Sequence, residues 1–122
     1  MNNNGSLVWV FPDLEMPPAG DSLLKGHESV IILNMNDVDA NVKISLYFED
    51  KAPILDIPVT VDANRVRCLR TNNADDFGGI VIEREIQYAM KLTSDVPVVA
   101  QYGRLDTRQE NMAFYTVMGY SN

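Results

Sequence analysis

The segment VPVVAQYGRLDTRQ, residues 96–109, decides the fold that we predict for this chain. Residues 96–105 have the apolar, β-branched composition of a strand in the middle of a sheet. This strand leads directly into a polar cluster of Arg104, Asp106, Thr107, Arg108 and Gln109. Because a central strand is a rigid support, we expect the cluster to be held at the end of the sheet, as a ligand site requires.

The length of 122 residues predicts one domain with its own core. Hydrophobic residues make up 46% and charged residues 22%, which is typical of soluble globular proteins. We expect a disordered N-terminus over residues 1–6 and a single domain over residues 7–122. The first apolar run, residues 7–11, is too short for a signal-peptide core and follows no basic residue, so we expect a cytoplasmic protein.

The net charge of −7 argues against binding to nucleic acid, which requires a concentrated basic surface. Arg65, Arg67 and Arg70 form a local basic group, which on a strand is expected to meet carboxylates of the same molecule. DNA contact through this group remains the alternative. Cys68 is the single cysteine, so no intrachain disulfide can form, and we expect a buried, unreactive thiol.

The hydrophobic pattern before residue 96 predicts further strands. ANVKISLYFED, residues 40–50, alternates most clearly, with its core side chains at Val42, Ile44, Leu46 and Phe48. LDIPVTVD, residues 55–62, alternates in the same way. Its inward residues are predicted to be Leu55, Ile57, Val59 and Val61, and Pro58 indicates an edge strand or a bulge. HESVIILN, residues 27–34, is apolar on both faces, as in a central strand.

The other segments fit the same architecture. Residues 7–11 predict a short strand that Pro12 ends, and the prolines and glycines of residues 12–26 predict a surface loop. Residues 64–71 predict another strand, and residues 72–79 a loop. Residues 82–92 favour a strand over the alternative of a helix, residues 93–95 predict a turn, and residues 112–120 predict a closing strand. Together these segments predict an all-β protein, a β-sandwich of jelly-roll type with about eight strands in two sheets.

Several predicted strands are apolar on both faces, which one small sandwich cannot cover by itself. We therefore expect an oligomer that covers the outer face.

No pattern predicts an enzyme, a metal site or a cofactor. His27 and Glu28 begin like a zinc-binding HExxH motif, but Ile31 occupies the position of the second histidine. The Asn/Asp-rich run at residues 34–41 lacks the glycine and the terminal glutamate of a calcium loop. His27 is the single histidine, and no nucleophile is directed at it.

Each candidate binding residue has a structural alternative. In the structural alternative, Arg104 and Asp106 pair to pin the strand end, and Arg108 and Gln109 bond loop carbonyls or a neighbouring subunit. In the other interpretation, the group binds a hydroxyl-rich or carboxylated small molecule through planar hydrogen bonds. His27 either bonds a loop or contacts a ligand. Trp9 is either a core residue or a stacking face for a sugar.

HESVIILN, ANVKISLYFEDK and VPVVAQYGRLDTRQ, followed by an aromatic closing strand, resemble the sensory rhodopsin transducer family. The group is typified by the soluble transducer of a cyanobacterial sensory rhodopsin. Trp9 and the pair Pro17 and Pro18 are similar too, and the likeness extends over nearly the whole chain from Leu7.

The resemblance implies a jelly-roll homotetramer that is not an enzyme. It also implies a domain that binds or senses a polar small molecule, with carbohydrates or related metabolites as the favoured class. We expect a sugar or sugar acid as the ligand, and a membrane receptor or regulatory protein as the partner that receives the signal. The alternative is a pure protein-interaction adaptor without a small-molecule ligand. The residues that the resemblance and the sequence nominate for ligand binding are His27, Glu28, Gln101, Arg104, Asp106, Arg108, Gln109 and Trp9.

Overall fold

The computed structural model describes residues 4–109 and 111–122. The predicted all-β sandwich is confirmed, with eight antiparallel strands and, in those residues, no α-helix. The strands are β1 (Ser6–Glu15), β2 (His27–Asn34), β3 (Ala40–Phe48), β4 (Ile54–Val61), β5 (Arg65–Arg70), β6 (Gln87–Asp106), β7 (Ala113–Val117) and β8 (Tyr120–Ser121). A short 3₁₀ helix, Ala74–Phe77, follows β5. Residues 1–3 of the predicted disordered stretch lie outside the described residues, and Ser6 begins β1.

The 20-residue strand β6 belongs to both layers of the sandwich. Its first half pairs with β1 and β3 in sheet A, whose strand order is β4-β3-β6-β1-β8. Its second half pairs with β2 and β7 in sheet B, whose order is β5-β2-β6-β7. The prediction that residues 96–105 form a central strand is therefore confirmed.

The predicted turn at residues 93–95 is wrong, because β6 runs through it. Thr93 pairs with Lys43, and the Asp95 carboxylate accepts hydrogen bonds from the backbone and side chain of Asn41, at 2.9 and 2.8 Å. Neighbouring β3 thus satisfies the polar residues that suggested a turn. The pairing of β1 with β6 has a register shift here, because Ser6 lies opposite Val98 and Val8 lies opposite Thr93.

The strand boundaries differ from prediction at three places. Strand β1 continues past Pro12 to Glu15, because the ladder between β1 and β6 is irregular there and tolerates a residue without an N–H. The prediction of a strand rather than a helix near residue 90 is confirmed, but the strand starts at Gln87, after Glu85, which has a positive φ of 61°. The predicted closing strand is divided into β7 and β8.

Strand β4 is an edge strand, as Pro58 indicated, since it pairs only with β3. Ile57, Val59 and Val61 face the core as predicted. The inward placement of Leu55 is wrong, because its side chain is 56% exposed. Asp56 has a φ of 59°, and the bulge at this point of the ladder with β3 reverses the alternation.

Strand β5 overturns two expectations. Cys68 is exposed rather than buried, because it pairs with Ile31 on the outward side of sheet B. The arginine side chains do not pair with carboxylates: within the described part of the chain, none of the three guanidinium groups forms an ion pair, and Arg70 contacts Asp76 only through its backbone N–H, at 2.9 Å. Instead, Arg65 and Arg67 donate to the backbone carbonyls of Asn64 and Thr60 at 3.0 and 2.7 Å.

Candidate functional site

The alternation of β2 decides where the nominated polar residues lie. Glu28, Val30, Ile32 and Asn34 all point into the core and are buried. Glu28 pairs with Arg104 and His27 with Leu105, so His27 points to the opposite side of sheet B. The two neighbours in the sequence are therefore separated by the sheet.

The Glu28 carboxylate is fully buried, with 0% exposure, and each of its oxygens accepts a hydrogen bond. Tyr88 donates its hydroxyl to Oε1 at 2.6 Å. Oε2 accepts from the Tyr102 hydroxyl and from the backbone N–H of Glu15, the latter at 3.0 Å. Tyr88 comes from the sheet A half of β6 and Tyr102 from the sheet B half, so the carboxylate joins the two layers.

Burial raises the pKa of Glu28, while the hydrogen bonds from Tyr102, Tyr88 and Glu15 and the charge of Arg104 oppose that rise. Burial, and then the neighbouring Glu28 charge, also raise the pKa of both tyrosines. The two phenols therefore remain protonated donors at neutral pH. This set of contacts, which we call the Glu28 cluster, is internally satisfied and has no oxygen turned toward solvent.

A second cluster lies where β6 ends, at the rim of the sandwich. The carboxylate of Asp106 accepts hydrogen bonds from the backbone N–H of Arg108 at 3.0 Å and from its guanidinium Nε, and it also contacts Nη2. Arg104 donates from Nε to the carbonyl of Glu15 at 3.0 Å, and its Nη1 lies 3.9 Å from Asp106 Oδ2. We call Arg104, Asp106 and Arg108 the rim cluster.

The hydrogen bonds from Arg108 lower the pKa of Asp106 to about 2, so this carboxylate is ionised at neutral pH. The Arg108 side chain is largely exposed, and Gln109 beside it is exposed as well. The open polar surface of the rim cluster is thus a guanidinium whose direction is fixed by Asp106.

The other nominated residues are not brought to this rim. His27 is 4% exposed, and its Nδ1 lies 2.8 Å from the carbonyl of Lys25, to which it donates. Gln101 pairs with Ile31 and points outward from sheet B. Trp9 is a core residue whose Nε1 donates to the carbonyl of Val98 at 2.9 Å. The structure therefore brings together Arg104, Asp106 and Arg108, and it separates them from His27, Gln101 and Trp9.

The sequence reasoning missed the two tyrosines. The available signal was the alternation in HESVIILN, which places Glu28 on the same side as Val30 and Ile32. A carboxylate on a core face needs buried donors. Tyrosines at core positions of a strand that crosses both sheets supply them, but their pairing with Glu28 depends on long-range register.

The outward side of sheet B is a largely apolar surface. Residues that pair across a ladder share a face. We define the outer face of sheet B by Val66, Cys68 and Arg70 of β5, His27, Ser29, Ile31 and Leu33 of β2, Val99, Gln101, Gly103 and Leu105 of β6, and Phe114 and Thr116 of β7.

Hydrophobic side chains on this outer face meet solvent. Val66 and Phe114, at its two edges, are each 62% exposed. A Cβ on Gly103 would lie 3.1 Å from the Phe114 ring, so this glycine lets the ring lie close over β6. The outer face of sheet A instead carries polar side chains such as Lys43 and Thr93. The two layers therefore present chemically different surfaces.

No group of three or more His, Cys, Asp or Glu residues is arranged to hold a metal ion in the described ranges. In the same ranges, no helix is both long and apolar enough to cross a bilayer. Five cavities in the described ranges are lined by residues other than those of the rim cluster.

Comparisons with known proteins agree on the family. The family model described as Anabaena sensory rhodopsin transducer matches residues 4–121. The chain belongs to the Anabaena sensory rhodopsin transducer family. No curated protein matches it significantly.

Two solved structures of similar fold match this chain over nearly its whole length. The Anabaena sensory rhodopsin transducer is 34% identical with a TM-score of 0.73, covering 91% of this chain and 99% of that one. Thermotoga maritima 1070 is 31% identical with a TM-score of 0.87, covering 98% and 97%. Membership of this transducer family places the chain among sensory transducer domains.

Proposed function

We propose that this chain is a non-enzymatic, cytoplasmic transducer domain that acts through contacts with other proteins. The observation that carries this proposal is the outer face of sheet B. An apolar surface of this kind on a folded domain marks a protein contact site, because its exposure to water is unfavourable. The Glu28 cluster is not proposed as a contact site, because its hydrogen bonds are satisfied inside the molecule.

The first occupant of this face is a further copy of the same chain, in a homo-oligomer that we propose to be a tetramer. Symmetric homo-oligomers are the commonest soluble assemblies. The signalling partner is then a membrane receptor of the rhodopsin type or a regulatory protein. The rhodopsin in the name of the Anabaena relative supports this choice.

The native mass of designed variants tests the proposal. Val66→Glu and Phe114→Lys each place a charge on the outer face of sheet B, at positions whose exposure spares the fold of the single chain. Leu55→Glu is the matched control, because Leu55 is similarly exposed on β4 in sheet A. Light scattering should give an oligomer for the wild type and the control and a smaller species for the two variants. A monomeric wild type would contradict the proposal.

A second candidate function is the binding of a polar small molecule, a sugar or sugar acid, at the rim cluster. The exposed Arg108 guanidinium, which Asp106 holds in a fixed direction, favours it. Gln109 and Arg104 would add hydrogen bonds, whereas His27, Gln101 and Trp9 have no part in it. Saturating ligand at 100 times its dissociation constant should stabilise the fold by about 2.7 kcal/mol.

A thermal-shift screen of sugars and sugar acids tests this second candidate. A ligand that binds the rim cluster should stabilise the wild type and should fail to stabilise Arg108→Ala. An equal stabilisation of both proteins, or none across the panel, would remove it.

A further inference from the structure

A groove lies between β1 and the C-terminal residues on the inner side of β7, where Tyr115 pairs with Arg104 of the rim cluster. Its volume is about 220 Å³. The side chains that matter for its chemistry are Phe11, Asp13, Tyr102, Tyr115, Val117 and Met118. Gly119 allows the C-terminal residues to approach β1 closely, since a Cβ there would lie 2.4 Å from the carbonyl of Val10.

Three aromatic rings line this groove at an angle to one another. The centroids of Phe11 and Tyr102 are 6.3 Å apart, with ring planes inclined by 44°. Those of Tyr102 and Tyr115 are 6.5 Å apart, with planes inclined by 68°. Phe11 and Tyr102 are buried and form the floor, whereas Tyr115 is 48% exposed and forms a wall. The exposed part of the Tyr115 ring is therefore the main aromatic surface that a ligand in the groove can reach.

Near the groove, the cationic Arg104 pairs with Tyr115 and lies 3.9 Å from the carboxylates of both Glu15 and Asp106. Of the described residues that line the groove, Asp13 alone is charged. The Asp13 carboxylate is oriented by a hydrogen bond that Oδ1 accepts from Gln87 Nε2 at 2.9 Å. Beneath the floor, the Tyr102 hydroxyl donates to the Glu28 carboxylate. This donation increases the electron density of the ring that faces the groove.

We propose that the groove binds a small organic cation with an alkylated ammonium group. The exposed Tyr115 ring attracts such a cation while its methyl groups contact Val117 and Met118. Asp13 at the mouth supplies the opposite charge. A volume of about 220 Å³ lies below the roughly 300 Å³ at which sites for drug-sized ligands begin, so the occupant is a compact cation.

This site does not depend on the function proposed above. It uses neither the outer face of sheet B nor Arg108, and its ligand has the opposite charge to a sugar acid.

Calorimetric titration with choline tests the proposal directly. The neutral isostere 3,3-dimethylbutan-1-ol has the same shape without the charge. We expect choline to bind saturably and the isostere to bind about tenfold more weakly, because only the cation is attracted by the Tyr115 ring and by Asp13. Equal affinity for the two compounds would show an apolar groove without cation recognition and would overturn the proposal. A wild type that binds no choline at millimolar concentration would overturn it as well.

Two variants locate the site. Tyr115→Leu removes the exposed wall but keeps an apolar side chain, and we expect about tenfold weaker binding of choline. Asp13→Asn should weaken choline but leave the isostere unchanged. Tyr47→Leu is the matched control, since Tyr47 is similarly exposed on β3 outside the groove, and it should bind as the wild type does. Unchanged binding by Tyr115→Leu would place the site elsewhere and overturn the assignment.

Discussion

Glu28 and Asp106 are two carboxylates from neighbouring strands of sheet B, and the structure uses them in opposite ways. Glu28 is fully buried, its partners are neutral donors, and burial raises its pKa. Asp106 lies at the rim, its main partner is a guanidinium, and its pKa is lowered to about 2. The contrast shows that two carboxylates nominated for the same ligand site have different roles. Glu28 holds the two layers together, and Asp106 shapes the surface.

Glu28→Ala should have the largest effect, because it leaves two buried hydroxyls and one N–H without an acceptor and opens a cavity. We expect a loss of about 3 kcal/mol in the free energy of unfolding, measured with denaturant. Glu49→Ala, at an exposed position, is the control and should change stability by less than about 0.5 kcal/mol. Similar losses for the two variants would contradict the structural role of the Glu28 cluster.

Tyr102→Phe and Tyr88→Phe should each cost about 1 to 2 kcal/mol, because each removes one donor to the buried carboxylate. Tyr47→Phe, which alters an exposed tyrosine, should be neutral. The double variant sharpens the comparison: since both hydroxyls serve one carboxylate, the two losses should not add. Strict additivity in denaturant unfolding would show that the two contacts are independent.

The pH dependence of Glu28→Gln should follow from the raised pKa of Glu28. A carboxyl group whose folded pKa is raised stabilises the fold below its unfolded pKa of about 4.3, and this contribution is lost as pH rises through the folded pKa. Glutamine does not titrate. The wild type should therefore lose stability relative to Glu28→Gln as the pH rises from about 4 toward neutrality, in paired unfolding curves. Parallel curves would contradict the raised pKa.

Asp106→Asn should have the smallest effect, less than about 1 kcal/mol at neutral pH, because solvent screens its pair with the exposed Arg108. Because the pKa of Asp106 is lowered and that of Glu28 is raised, the two groups change the stability of the fold with pH in opposite directions. The stability that Asp106 contributes is present above about 3.9, its unfolded pKa, and is lost as pH falls through about 2. Unfolding curves between pH 2 and pH 5 measure it, and a loss as large as that of Glu28→Ala would erase the contrast between the clusters.

Much of the fold was predictable because alternation and turn residues are local signals. β2 and β3, the inward residues Val42, Ile44 and Leu46, and the edge position of β4 follow from period-two patterns. The failures have a common cause in long-range pairing. The expected turn at residues 93–95 and the expected burial of Cys68 were both wrong, because each depends on which strand lies alongside.

The candidate site was less predictable. The rim cluster follows from the sequence, since Arg104, Asp106 and Arg108 are close along the chain and gather where β6 ends. The acceptor role of Glu28 toward Tyr88 and Tyr102 does not, because the sequence separations are 60 and 74 residues. The separation of His27 from Arg104 also depends on register, because Arg104 pairs with Glu28 and not with His27.

Because the Glu28 cluster is satisfied internally, the outer face of sheet B remains the surface that carries the proposed function. Cys68 lies on that face and is the only cysteine, so its thiol reports whether the face is covered.

The rate at which Cys68 reacts with a thiol reagent in the native protein is the most direct measurement. We expect the native wild type to react slowly and Phe114→Lys, with its separated subunits, to react at the rate of an exposed thiol. An equally fast reaction in both proteins would show that the outer face is open in solution and would contradict the account.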